Sequence, residues 1–139
     1  MTPTVKTSYF AKWKDLEESG IYQPISVAQY NPKSMGCIPW LATLAPTPEL
    51  LRAYKHGELD EKSYAMAYKT SLLRRNKEAV LEQITFCAKG KIPVLVCYEK
   101  PSDFCHRHIL AEWLTGSRQE IELPDAQATF QFPENLPEE

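Results

Sequence analysis

No stretch of the chain approaches the roughly 20 consecutive apolar residues of a membrane span, and Met1-Thr2-Pro3-Thr4 leads into no apolar core of the kind a signal peptide carries. An excess of one charge is lacking too, since 16 basic residues face 18 acidic ones for a net charge of −2. That balance argues against a protein held to nucleic acid by bulk electrostatics, while leaving room for a local basic pocket. Paired Cys-x2-Cys spacing, the strong signature of a zinc module, is missing. So are a glycine-rich phosphate loop and a dinucleotide fingerprint. The phosphatase loop, a cysteine with an arginine six residues on, is absent at Cys97 and Cys105, because Asp103 and Ala111 stand there. There is no internal repeat. These absences predict a soluble, cytoplasmic protein with no general nucleic-acid affinity and no membrane association. In that compartment Cys37, Cys87, Cys97 and Cys105 are expected as thiols.

What is present is ordinary for a folded domain: 43% hydrophobic and 24% charged residues in 139, enough to bury a core without staples. Residues 5–10 alternate as a strand would, with a short helix or turn after them, and residues 24–30 read as a second strand. Residues 31–46 show no periodicity and are punctuated by Pro32, Gly36, Pro39 and Pro46. A loop of that length inside a small domain is often functional. Trp40, Leu41 and Leu44 give it anchors, and it is expected to pack across the mouth of a site. Three helices follow, capped by Thr47, Asp60 and Asn76. The second carries Tyr64, Tyr68 and Leu72 on one face, and the third Val80, Ile84, Cys87 and Ala88 before Gly90. Residues 94–98 are a short, β-branched run that suits a strand buried on both faces. A last helix is predicted from about Phe104, capped by Asp103, to Thr115, and residues 120–123 alternate like an edge strand. The fold class expected is α/β: one three-layer domain over residues 1–123, a small mostly parallel sheet flanked by helices. Residues 124–139, with Pro133, Pro137 and an acidic end, read as a loosely docked tail.

The chemistry concentrates between Val94 and His108, where two cysteines, two histidines, a glutamate and an arginine fall at a strand-to-helix junction. In open α/β sheets that crevice is where ligands bind. Cys105, in the first helical turn and near Arg107, is the thiol best placed to be a thiolate. His106 can serve as its acid-base partner and Glu99 as a second acid-base group. Cys97 lies at the strand end. Both thiols can also be read as inert core residues, and His108 as the next exposed helix position. Arg107 suits an anionic ligand presented at the helix start, with a surface ion pair toward Glu112 as the bland alternative. A metal such as zinc or iron could use Cys97, Cys105 and His106, with Cys37 or His108 as further donors. Adjacent residues within a helix point about 100° apart, so joint ligation by Cys105 and His106 is awkward unless the helix starts later. A metal-free site is therefore favoured, with no cofactor assigned.

These residues carry a family resemblance. Thr7-Ser8-Tyr9-Phe10-Ala11, Ile25-Ser26-Val27-Ala28, Leu44-Ala45-Pro46 with Leu50-Leu51 and Tyr54-Lys55, Tyr64 with Tyr68, and above all Cys97-Tyr98-Glu99-Lys100-Pro101 with Phe104-Cys105-His106-Arg107 resemble the domain-of-unknown-function family DUF488, which includes the YeaO-like proteins. The resemblance runs from about Val5 to Leu123. It implies a small cytoplasmic α/β protein with a site at Cys97, Glu99, Cys105, His106 and Arg107, and with Ser8, Ser26 and Gln29 at neighbouring strand ends. Where the family's second strand continues into an arginine, this chain has Gln29, which would weaken any grip that arginine has on an anion. The reading that follows is a protein binding or acting on a small anionic ligand, nucleotide or nucleobase-like, with catalytic residues Cys105, His106, Glu99 and Cys97 and ligand-binding residues Arg107, Ser8, Ser26 and Gln29. A protein-binding adaptor using the 31–46 loop, and a Cys/His metal protein, are the alternatives.

Overall fold

The computed structural model describes residues 4–30, 38–98, 105–117 and 120. Three parallel strands, β1 (Lys6–Tyr9), β2 (Tyr22–Ser26) and β3 (Ile92–Cys97), form a sheet in the order β1-β3-β2. The strand with the longest apolar run is the central one, and from Pro93 to Cys97 every residue is buried. Leu95 sits opposite Thr7 and Ile25 in register, while Val94 and Val96 fall on the alternate positions. The period of two therefore sends Leu95 and Ile25 into one core and Val94 and Val96 into another.

The first core is covered by α4 (Lys77–Ala88) and α5 (His106–Thr115), which lie on the strands, and by α3 (Glu61–Leu73), which packs on α5. Their contributions are Tyr68, Leu72, Val80, Ile84, Leu110 and Leu114. On the other face, a 3-10 turn at Phe10–Lys12 and α1 (Trp13–Glu18) supply Phe10 and Leu16. The remaining helix, α2 (Pro48–Lys55), packs on α3. The result is the expected layered α/β arrangement, with a sheet that is wholly parallel among the described strands.

Three of the four predicted caps are in place. Thr47, Asp60 and Asn76 each accept a backbone N–H at the helix start, from Leu50, Ser63 and Ala79. Among the helix ends, Gly116 takes the left-handed conformation that stops α5.

Three boundaries differ from expectation, and each difference shapes the site. β2 starts and stops earlier than residues 24–30: Ile92 donates to the Ile21 carbonyl ahead of it, and Ala28 donates to the Ser26 hydroxyl at its end. That local bond turns the chain out of the sheet, which frees Ala28, Gln29 and Tyr30 to line a pocket. The last helix begins at His106 rather than near Phe104, and Cys105 occupies the N-cap position in extended conformation. Residues 31–37, with Cys37, and residues 99–104, with Glu99 and the expected cap Asp103, lie outside the described residues. So do 121–139, and with them the rest of the expected edge strand and the tail. Glu120 itself forms a parallel bridge with Thr7, alongside β1.

The described part of the 31–46 loop is anchored as its apolar residues predict. Residues 39–41 pair with the outer edge of β2, Leu41 and Leu44 are buried, and the Trp40 indole donates to the Ala28 carbonyl at 2.8 Å. The Tyr68 hydroxyl, itself buried, donates to the Leu44 carbonyl at 2.6 Å and ties this segment to α3.

Candidate functional site

At the carboxyl ends of β2 and β3, facing the start of α5, a pocket encloses about 550 Å³ of non-atom space including its open mouth. Cys97, Cys105 and His106 contribute to its wall, together with Ala28, Gln29 and Tyr30 from the end of β2. The opposite side comes from Pro46, from α2 through Leu51, Tyr54 and Lys55, and from Tyr64 of α3. Tyr54 and Tyr64 stack with ring centroids 4.5 Å apart and 22° between planes, and Tyr98, edge-on to Phe10, adds a third aromatic ring.

The structure links Cys97 and Cys105 as a disulfide, which corrects the expectation of free thiols at these two positions. The strand end and the helix start converge, and that convergence brings the two sulfurs together. Cys87 is a free, partly buried thiol packed against the main core, as expected of it.

His106 is buried, and its ring is fixed from two sides. Nε2 lies 2.7 Å from the Val27 carbonyl, and the ring stands edge-on to Tyr68. A carbonyl oxygen can only accept, so in the neutral ring the hydrogen sits on Nε2 and Nδ1 keeps its lone pair. That lone pair is on the nitrogen 3.8 Å from the Cys105 sulfur. Burial pushes the imidazole down to about 4, with nearby Arg107 adding to the effect and the Val27 carbonyl partly opposing it. The ring is neutral at physiological pH.

Arg107 points elsewhere. Its side chain has no exposure to solvent and meets Glu120 twice, Nη2 to Oε2 at 3.2 Å and Nε to Oε1 at 3.4 Å, while Nη1 donates to the Cys97 sulfur at 3.2 Å. The surface pairing toward Glu112 is thus replaced by a buried one with Glu120. Thr7 donates its hydroxyl to Glu120 at 2.5 Å, and His108, expected to be exposed, is buried with Nδ1 3.8 Å from the same carboxylate. Tyr9, the register partner of Cys97, has its phenol raised by burial first and by Glu120 second, with Arg107 opposing.

Of the residues singled out by sequence, Cys97, Cys105, His106 and Gln29 come together in the pocket wall. Arg107 lies behind Cys97, against Glu120. Ser8 and Ser26 flank Val96 within the sheet, both fully buried, and neither is among the described residues that line the pocket. Glu120 and the aromatic wall of Tyr54 and Tyr64 were not legible as site residues. Alternation marked Glu120 as an edge position without naming its partner, and Tyr54 and Tyr64 sit on different helices whose contact no spacing rule reveals.

A family model for DUF488-N3a, the active DUF488-N3 subclade, matches residues 8–118. Comparison with curated proteins and with solved structures finds no match. The family match takes in the second half of β1, all of β2 and β3, the five helices and both halves of the Cys97/Cys105 junction, and so the chain belongs to the DUF488 family, in its DUF488-N3a subclade.

Proposed function

We propose that the protein binds a small, planar, anionic ligand of the nucleotide or nucleobase kind in this pocket and acts on it at the Cys97/Cys105/His106 floor. The observation that carries the reading is a single pocket lined both by that reactive group and by the stacked Tyr54 and Tyr64 rings, with Lys55 and Gln29 beside them. Tyrosine rings offer apolar faces to a flat ring system, Lys55 offers a cation for a phosphate or carboxylate, and the Gln29 amide offers both a donor and an acceptor. The description of the subclade as active favours chemistry over binding alone. Arg107 enters this proposal as a group that holds Cys97 and Glu120 in place, since its buried position suits that role better than a grip on ligand.

Calorimetric titration with a panel of nucleoside monophosphates, free nucleobases and inorganic phosphate tests the reading. Saturable binding by at least one ring-bearing member is expected, weakened at least about tenfold by Lys55→Ala, which corresponds to the roughly 1.4 kcal/mol of one charge-assisted contact. Lys55 is exposed, so the variant keeps the fold. Absence of heat for every ring-bearing member at millimolar concentration would sink the proposal.

A further inference from the structure

Three buried residues with metal-ligand chemistry meet in the pocket wall. The ligand atoms of Cys97, Cys105 and His106 all lie within 4.8 Å of one another, and all three residues are buried. We infer that, with its thiols reduced, this protein binds one borderline-soft divalent cation of the zinc class through Cys97 Sγ, Cys105 Sγ and His106 Nδ1.

Four features of the structure support the site independently of one another. First, His106 is presented as metal-bound imidazoles are, with the distal N–H given to a backbone carbonyl, here that of Val27, and the other nitrogen turned toward the sulfurs. Second, adjacent residues in a helix diverge too far to share an ion, but Cys105 is extended at φ −154°, ψ 143° and only His106 is helical. The helix starts after Cys105, later than the sequence suggested, and that removes the obstacle to joint ligation. Third, the Cα atoms of Cys97 and Cys105 are 7.7 Å apart, wider than the roughly 4.4–6.8 Å usual for linked cysteines. A pair of thiolates bridged by one ion suits that spacing. Fourth, the Arg107 N–H donated to Cys97 supports the sulfur as a thiolate, and Glu120 balances the arginine. Two thiolates then offset the cation's two positive charges.

Sulfur and imidazole donors select zinc-like ions over magnesium or calcium. Two cysteines and a histidine make three protein ligands, the number that catalytic zinc sites use while leaving a position for water or substrate. All three residues line the pocket, so that position adjoins whatever the pocket holds. The site is the floor of the proposed ligand pocket, but occupancy by metal does not depend on which ligand enters above it.

Opening the disulfide consumes two electrons, supplied by a phosphine reductant that is oxidised to its oxide, and two protons, supplied by the water that also gives the oxide its oxygen. Metal binding then displaces one proton from each thiol, two per ion. The test uses the full chain, reduced with phosphine under anaerobic conditions and moved into chelator-free buffer. Titration with cobalt(II) should give thiolate-to-cobalt charge transfer and the strong visible bands of a tetrahedral site, saturating at one equivalent and bleached by zinc. Cys97→Ser and Cys105→Ser should each lower cobalt affinity by at least about a hundredfold, beyond the 10–100-fold typical of outer-shell partners. Cys87→Ser should leave the spectrum unchanged. A reduced wild-type protein that shows no thiolate-to-cobalt band with cobalt in excess overturns the inference, and so does a band that survives both Cys97→Ser and Cys105→Ser. Because the wild-type measurement is decisive on its own, a variant that fails to fold does not protect the idea. Lys55→Ala should leave the cobalt spectrum intact, so loss of nucleotide binding and loss of metal binding are read separately.

Discussion

Replacing Glu120 by alanine removes a carboxylate from an arginine side chain with no solvent exposure, and the consequence can be worked from the contacts. Glu120 receives two N–H groups of Arg107 and the hydroxyl of Thr7, and its own side chain is about 10% exposed. Truncating one partner of such a buried pair costs about 3–5 kcal/mol, because the remaining charge stays in the interior without its counter-charge. Against a typical total of about 5–15 kcal/mol, that is a large fraction of the stability. At roughly 3–4 °C per kcal/mol for a domain of this size, the midpoint should drop by about 9–20 °C. Thermal melting followed by circular dichroism measures the midpoint, and urea titration measures the free energy, with an unchanged m-value as the check that only stability moved. Glu120→Gln keeps an acceptor for Thr7 and should fall between wild type and Glu120→Ala. The double variant Arg107→Met/Glu120→Leu removes both charges at similar volume, an exchange that is often neutral for stability. It leaves the Thr7 hydroxyl unpaired at about 1–3 kcal/mol, and so should be more stable than Glu120→Ala alone. If Glu120→Ala stays within about 1 kcal/mol of wild type, or if the double variant is the less stable of the two, the buried-pair reasoning is wrong.

Other consequences follow from the same physics. Tyr68→Phe strips the donor from the Leu44 carbonyl and should cost about 1–3 kcal/mol in urea titration; a shift near zero would mean that water takes the hydroxyl's place. Ile84→Ala, at a fully buried position in the main core, should cost about 2–5 kcal/mol by the same assay, and a smaller loss would mean that α4 collapses onto the gap. Thr47→Ala removes the cap that accepts from Leu50 and should cost about 1 kcal/mol, read as a change in urea midpoint. For the disulfide form, His106 sets a pH term. Its folded value of about 4 lies below the usual 6.5, so the full stability is present above pH 6.5. It is lost as pH falls toward 4, because the unfolded chain takes up a proton that the folded chain refuses. The loss amounts to about 3 kcal/mol over that window. His106→Gln should flatten the pH 4–6.5 limb relative to wild type, and parallel limbs would refute the assignment.

Much of the fold was legible because local rules and tertiary packing agree over residues 47–97. Thr47, Asp60 and Asn76 cap as their side chains dictate, and the faces carrying Tyr68, Leu72, Val80 and Ile84 are the faces that become buried. The strand ends were misread where a side-chain bond competes with the ladder. Ser26 holds the Ala28 N–H, and no periodicity reports that choice.

The site was legible as a cluster but not as a geometry, and the reason lies in four consecutive residues. Cys105-His106-Arg107-His108 looks in sequence like one reactive surface. Once Cys105 is extended and the helix begins at His106, the string divides. Cys105 and His106 turn to the pocket, while Arg107 and His108 turn inward to a carboxylate twelve or more positions down the chain, at Glu120. A helix turn separates neighbours by about 100°, so a shift of two residues in the start reassigns every side chain in the string. Cys97 is the residue both halves share, with its sulfur on Cys105 in front and on Arg107 behind. The charge network around Glu120 therefore sets the electrostatics of the pocket floor without entering the pocket, and changes to Thr7, Glu120 or Arg107 should be felt at Cys97 before they are felt by any ligand.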